Sequence, residues 1–259
     1  MERITSAKNP LVRQLRALND RKGREASGML LVEGAVMIDE ALRCGLTPGD
    51  AVGEERCADA LQTLAERGAR VAVVPRGVLE AVCDTRTPQG VCASFSAPRP
   101  LSLSDAPNRV VALDGVQDPG NVGTIWRTAD AAGFGAVLFG PGCADPLSPK
   151  VQRAAMGSGF RVPFMAAEEM SGALRALRAR GFCVLASDLR GADFYDRPEA
   201  GERFALVIGS EARGISQATR EAATALVKLP MRGGAESLNA AVAAGIMMYE
   251  MARGEGSRE

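Results

Sequence analysis

The chain has 259 residues, 46% of them hydrophobic, enough to bury one large core or two modest ones, which excludes wholesale disorder. Its 31 basic and 31 acidic side chains cancel, so any polyanion-binding face has to come from local segregation of charge. Histidine is absent, which excludes Ser–His–Asp and Cys–His catalysis and imidazole-bound zinc, and aromatics at 4% argue against broad stacking platforms.

Asn9 and Pro10 read as a helix start, with Leu11, Leu15 and Leu18 on one face. The first 24 residues carry Arg3, Lys8, Arg13, Arg16, Arg21, Lys22 and Arg24 against two acids, which fits a solvated helix and its tail as well as a phosphate-contacting arm. Strands follow at 29–33, 69–74 and 90–95, with helices at 34–43, 57–67 and 78–83. This reads as a small α/β domain over residues 1–97. Residues 98–108, with Pro98, Pro100 and Pro107, suit a linker. The second domain, 109–254, alternates short apolar strands (110–113, 136–139, 183–187, 204–208, 225–229) with helices (122–132, 150–158, 168–180, 216–222, 238–253). That alternation predicts a mostly parallel sheet with helices on both faces, followed by a polar tail at 255–259.

The first twenty residues lack a signal-peptide core, and no apolar stretch approaches the roughly 20 residues of a membrane span. The six cysteines, Cys44, Cys57, Cys83, Cys92, Cys143 and Cys183, form no Cys-x-x-Cys pair. They read as reduced thiols of a cytoplasmic protein with neither membrane nor metal partner.

Loops at the carboxyl ends of parallel strands are the expected ligand positions, and three stand out. The first runs from Asp114 past Gly120, Asn121 and Gly123 to Arg127, the glycines permitting tight turning beside Asn121. Arg127 sits on an otherwise apolar helix and suits either a surface ion pair or a phosphate clamp. The second places Glu211 between Gly209 and Gly214, either an exposed turn carboxylate or one orienting acid in a backbone cradle. The third carries Gly233 and Gly234, then Ser237 and Asn239 at the start of the last helix, where only one of the two can be the cap. Nucleotide-triphosphate and dinucleotide loop signatures are missing.

These segments resemble the three signature motifs of the SpoU (TrmH-like) RNA 2'-O-ribose methyltransferases of the SPOUT superfamily. Asn121-Val-Gly-Thr-Ile-Trp-Arg127 is similar to the first, Gly209-Ser-Glu211-Ala-Arg-Gly214 to the second, and Leu229-Pro-Met231-Arg-Gly-Gly-Ala-Glu-Ser237-Leu-Asn239 to the third. The stretches Asp145-Pro-Leu-Ser-Pro-Lys150 and Phe160-Arg-Val-Pro163 also fit. Met29-Leu-Leu-Val-Glu33-Gly34 and Thr87-Pro-Gln-Gly-Val91 resemble the small L30e-like substrate-binding domain that precedes the catalytic domain in many members. Small departures are Ser148, where Asn is frequent, and Gly159, Ala240 and Ala241.

The resemblance implies a trefoil-knotted parallel-sheet domain, S-adenosylmethionine as methyl donor, a ribose 2'-hydroxyl of structured RNA as acceptor, and a homodimer. It implies catalytic roles for Arg127, Asn121, Glu211, Ser237 and Asn239. Cofactor contacts are implied at Ile208, Gly209, Ser210, Gly214, Leu229, Met231 and Leu238. RNA contacts are expected at Lys8, Arg13, Arg16, Arg21, Lys22, Arg24, Lys150, Arg153 and Arg161. The additional domain favours rRNA, of 23S type, over tRNA, and a non-catalytic ribosome-assembly role stands as the alternative of another class.

Overall fold

The computed structural model describes residues 1–253, so the tail expected at 255–259 lies outside the described residues. Two compact units emerge. The first comprises Met1–Pro98 together with Leu147–Phe160, and the second takes Arg99–Pro146 and the chain from Arg161 onward.

The first unit contains β1 (Glu2–Arg3), α1 (Pro10–Ala17), α2 (Arg21–Ser27), β2 (Met29–Glu33), α3 (Ala35–Arg43), β3 (Pro48–Gly53), α4 (Ala58–Glu66), β4 (Arg70–Val73), α5 (Arg76–Val82) and β5 (Val91–Ser96). The strands form one sheet in the order β1-β4-β3-β5-β2; β1 and β3 run parallel to β4, while β5 is antiparallel to both β3 and β2. Helix α1 starts where Asn9 accepts a hydrogen bond from the Leu11 amide (2.9 Å), and Leu11, Val12 and Leu15 point inward. Strand β3 is the centre of the sheet, yet its sequence, Pro-Gly-Asp-Ala-Val-Gly, reads as a loop. Only Ala51 and Val52 are apolar, and both are fully buried because neighbours cover them from both sides.

In the second unit come β6 (Arg109–Asp114), α6 (Pro119–Ala131) and β7 (Ala136–Phe139). The chain then passes through α7 (Pro149–Ala155) and α8 (Ser158–Arg161) and continues with β8 (Phe164–Ala166), α9 (Met170–Ala179), β9 (Cys183–Asp193), β10 (Phe204–Gly209), α10 (Gln217–Ala222), β11 (Ala225–Lys228) and α11 (Ala240–Arg253). The six strands are all parallel, in the order β11-β9-β10-β6-β7-β8. Strand β9 is longer than its apolar run because Gly191 lets the β11 backbone close in; a Cβ there would lie 2.4 Å from the Val227 nitrogen. One core gathers Val110, Ala112, Leu174, Leu177, Val184 and Val207. Trp126 is fully buried, its ring 5.4 Å from that of Phe139 and 6.0 Å from that of Phe164.

The proline-rich stretch is docked, not free. The Leu101 amide donates to the Phe164 carbonyl (2.8 Å), and Leu101, Leu103 and Ala106 pack on the second unit's core. Helix α7 is the larger departure from expectation. Read from sequence as part of the second domain, it packs within the first unit, with Leu147 and Phe160 against that unit's core.

Candidate active site

Because every strand of the second sheet is parallel, the carboxyl ends of β6, β10 and β11 open on one edge. After β6 the chain turns at Gly115 (φ +71°), and Asp118 caps α6 by accepting from the Asn121 amide at 2.8 Å. Pro119 occupies the first helical position. Gly120 and Asn121 therefore lie in the first turn of α6, with Gly123 just beyond it, so the helix expected at 122–132 starts three residues earlier, at Pro119. Asp114 also has a task that motif reading missed: its carboxylate accepts from the Ser216 amide (2.8 Å), joining the end of β6 to the start of α10.

After β10, Ser210 and Gly214 exchange two backbone hydrogen bonds (3.1 and 2.8 Å), and the Ser210 hydroxyl accepts from the Arg213 amide (3.2 Å). This tight loop needs Gly209, where a Cβ would sit 2.2 Å from the Gly214 carbonyl carbon. Glu211 projects from its exposed tip. After β11, Asn239 is the residue that caps α11, its side-chain oxygen accepting from the amides of Ala241 (2.9 Å) and Val242 (3.2 Å). Ser237 is left exposed beside it.

Three side chains from these three loops meet. The Asn239 amide donates to the Asn121 side-chain oxygen (2.9 Å), and the Asn121 amide donates to the Glu211 carboxylate. Asn121 is thus held from both ends, and its orientation is set by residues 90 and 118 positions away. Arg127 lies farther along α6. It is exposed and makes no hydrogen bond or ion pair among the described residues, so its guanidinium is available to an anion.

Beside this chain of hydrogen bonds is a cavity of about 680 Å³. Ile208, Gly209, Ser210, Gly214, Leu229, Met231 and Leu238 all line it, together with Glu211, Ser237 and Asn239; Arg127 and Asn121 do not. Ala240, Ala243 and Met247 of α11 add apolar wall. Apolar walls with backbone polar groups from two loops suit an adenosyl group, and the volume lies within the range of small-molecule sites, so these residues fit the implied cofactor. Also lining the cavity, buried Asp188 pairs with Arg220 (2.5 Å) and Arg190 (3.2 Å). Burial by itself would raise this carboxyl, but the Arg190 amide and the two guanidinium groups hold it below its ordinary range.

Of the basic residues expected at RNA, Lys8, Arg13, Arg16 and Lys22 are exposed on the first unit, and Arg21 is exposed while paired with Glu25 (2.7 Å). Arg24 requires a correction. It is buried, donating to the carbonyls of Leu18 (2.7 Å) and Asn19 (2.8 Å) just beyond the end of α1, where backbone acceptors lack helical partners. Lys150 and Arg153 lie in the first unit, near Asp84 and, for Arg153, Glu33; Arg161 lies in the second, bound to Asp130. Ser148, where Asn is frequent, caps α7 by accepting from the Val151 amide (3.3 Å), a task either residue performs. Among the described residues no helix is long and apolar enough to cross a membrane, and no cluster of three His, Cys, Asp or Glu side chains could hold a metal ion.

The sequence matches the SpoU rRNA Methylase family over residues 108–249 and the MRM3-like substrate binding domain over residues 9–93. It is 37% identical over 254 residues, 97% of this chain and 99% of the relative, to the Bacillus subtilis 23S rRNA (guanosine(2553)-2'-O)-methyltransferase RlmP. Its fold is similar to the AdoMet-bound rRNA methyltransferase of Sinorhizobium meliloti, with a TM-score of 0.87, 34% identity and 97% of each chain covered. It is also similar to the AdoMet complex of the SpoU methyltransferase AviRb from Streptomyces viridochromogenes, with a TM-score of 0.84, 28% identity, and 95% of this chain and 98% of that one covered.

Proposed function

Because this chain belongs to the SpoU rRNA methylase family and is an S-adenosylmethionine-dependent RNA 2'-O-ribose methyltransferase, we propose that its substrate is 23S rRNA. The observation that carries the assignment of roles is the hydrogen-bonded chain Glu211–Asn121–Asn239, which unites the three strand-end loops beside the cavity. When bound, the cofactor supplies an electrophilic methyl group on a good leaving group. The residues left to the protein's share of the work must orient the 2'-oxygen and favour loss of its proton.

Arg127 is the residue we assign to the reacting ribose. A guanidinium stays charged at neutral pH, so its role is to fix the adjacent phosphate and stabilise negative charge growing on the 2'-oxygen. Asn121, fixed at both ends, positions the nucleotide. Glu211 and Asn239 hold Asn121, and Ser237, with no partner among the described residues, contacts the ribose. The first unit contributes RNA affinity through Lys8, Arg13, Arg16 and Lys22.

We also assign a homodimer. Its support is the exposed apolar row Val242, Ile246 and Tyr249, spaced four and three residues apart on α11. The six free cysteines favour the reducing cytoplasm.

Mapping 2'-O-methyl groups across total RNA with and without the gene tests the substrate. Loss of one methyl group in 23S rRNA is the expected result. Loss in a tRNA, with 23S rRNA unchanged, would refute the assignment.

A further inference from the structure

Strand β9 leaves its sheet for part of its length, and it does so at the cavity. Its pairing with β10 ends at Ala186, opposite Val207. On its other side Ala186 faces Leu226 of β11, and the next partners are Ala192 and Val227. Residues 187–191 thus have no ladder partner on β11 among the described residues. Gly191 brings the chain back, because a Cβ there would collide with the backbone of Leu226 and Val227. Ser187, Asp188, Leu189 and Arg190, which this bulge sets free, all line the cavity, and Leu189 is 70% exposed. A wall of that kind has no backbone ladder to keep its shape.

Side chains take over the task. One Asp188 oxygen accepts from the Arg190 amide (2.9 Å) and from Arg190 Nε (3.2 Å), closing a tight turn within the bulge. The other accepts from Arg220 Nε (2.5 Å) on α10. Helix α10 is a fixed support. The Ser216 hydroxyl caps it by accepting from the Thr219 amide (3.1 Å), and Ile215 and Ala222 are buried in the core of the parallel sheet. The Arg220 guanidinium also reaches the second strand-end loop, where a Cβ on Gly214 would lie 4.0 Å from Nη2. One half-buried arginine therefore stands against two walls of the cavity, the β9 bulge and the Gly209–Gly214 loop. The buried Asp188 charge would be costly to leave unmatched, so the pair holds the bulge in one arrangement.

We infer that Asp188 and Arg220 are positioning residues for S-adenosylmethionine, setting its affinity by holding the β9 bulge in the shape that receives it. This rests on the reading of the cavity as the cofactor site. Neither residue need touch the reacting methyl group. A wall that is already ordered lowers the cost of ordering it on binding. Its loss weakens the cofactor complex and leaves the chemical step at saturation as it was.

The test uses the full chain and the variants Arg220→Gln, Arg220→Lys, Asp188→Asn and the double variant Asp188→Asn/Arg220→Gln. Calorimetry gives S-adenosylmethionine affinity per folded molecule, and single-turnover methylation gives the rate at saturating RNA and cofactor. Hydrogen exchange with and without cofactor follows residues 187–191 and 208–214. Arg220→Gln and Asp188→Asn should each lose at least about fivefold in cofactor affinity, with rates at saturation within about twofold of wild type. The double variant should lose no more than about twofold beyond the weaker single variant, because both act through one pair. Arg220→Lys should regain most of the loss, since an ammonium can meet the single Asp188 oxygen that Arg220 engages. A merely structural role predicts lower stability with unchanged affinity per folded molecule, and that result overturns the inference. So do losses that add in the double variant, or a rate at saturation that falls as far as the affinity does. Cofactor-dependent protection of both segments in wild type, beside unchanged affinity in the variants, removes this inference alone. Absence of that protection removes it together with the reading of the cavity.

Discussion

Arg127 stands exposed on a helix whose neighbouring residues are buried: Ile125 and Trp126 before it and Ala129 after it are fully enclosed. Nothing among the described residues neutralises its charge, so its loss removes no ion pair from the fold. Arg127→Ala should therefore fold and bind S-adenosylmethionine as wild type does. Single-turnover methylation should nonetheless fall at least roughly 100-fold, the usual penalty for deleting a preorganised stabilising donor. Arg127→Lys should recover little, because an ammonium does not reproduce the planar guanidinium fork. Retention of more than about half the wild-type rate by either variant would remove Arg127 from the chemistry. Asn121 and Asn239 are a different kind of residue. Their worth lies in mutual restraint, and Asn239 divides its amide group between capping α11 and holding Asn121.

At the scale of elements, the site depends on strand ends being tied to helix starts. Asp114 ties β6 to α10, and Asp188 ties β9 to the same helix through Arg220. The folded-state pKa of Asp188 is lowered from its ordinary 3.8, so its ionised form is favoured by folding. Its stabilising contribution is thus fully present above the unfolded-state pKa and is lost as pH falls through the lower folded-state value. Asp188→Asn should destabilise the protein by about 2 kcal/mol at neutral pH, the scale of hydrogen bonds to a charged group. The gap between wild type and variant in denaturant titrations should narrow progressively below about pH 4. A gap that is constant from pH 7 to pH 3 would show that the ion pair is not its source.

At the scale of the whole molecule, the two units are compact but not consecutive in sequence, since residues 147–160 leave the second for the first. This changes what truncation should do. A chain beginning at Arg99 would keep every strand of the parallel sheet but leave Leu147 and Phe160 without the core they pack against. Burying a large aliphatic or aromatic side chain is worth about 1.5–3 kcal/mol, so the truncated chain should be less stable than the full protein and prone to associate through α7. Thermal unfolding and light scattering would register both effects. A truncated chain that is monodisperse and unchanged in Tm would show that α7 finds sufficient cover elsewhere.

Much of this was legible from the chain itself. Continuous apolar runs alternating with helical periodicity identify the parallel sheet, because strands covered on both faces need no polar side. The three glycine-bearing segments mark the candidate site, because tight strand exits and helix caps require a few residue types at short spacing. Other features depend on residues distant in sequence. Strand β3 is a strand because β4 and β5 flank it, although its own composition is that of a loop. Arg24 has the sequence context of an exposed cation and is drawn inward by the carbonyls left at the end of α1. Asn121 reads as a loop residue until Asp118 caps the helix ahead of it. Helix α7 has an ordinary amphipathic pattern, and that pattern says only that one face must be buried. The core that buries it is the one against which its flanking residues Leu147 and Phe160 pack, built from residues far away in sequence, because packing acts through space while propensity and spacing act along the chain.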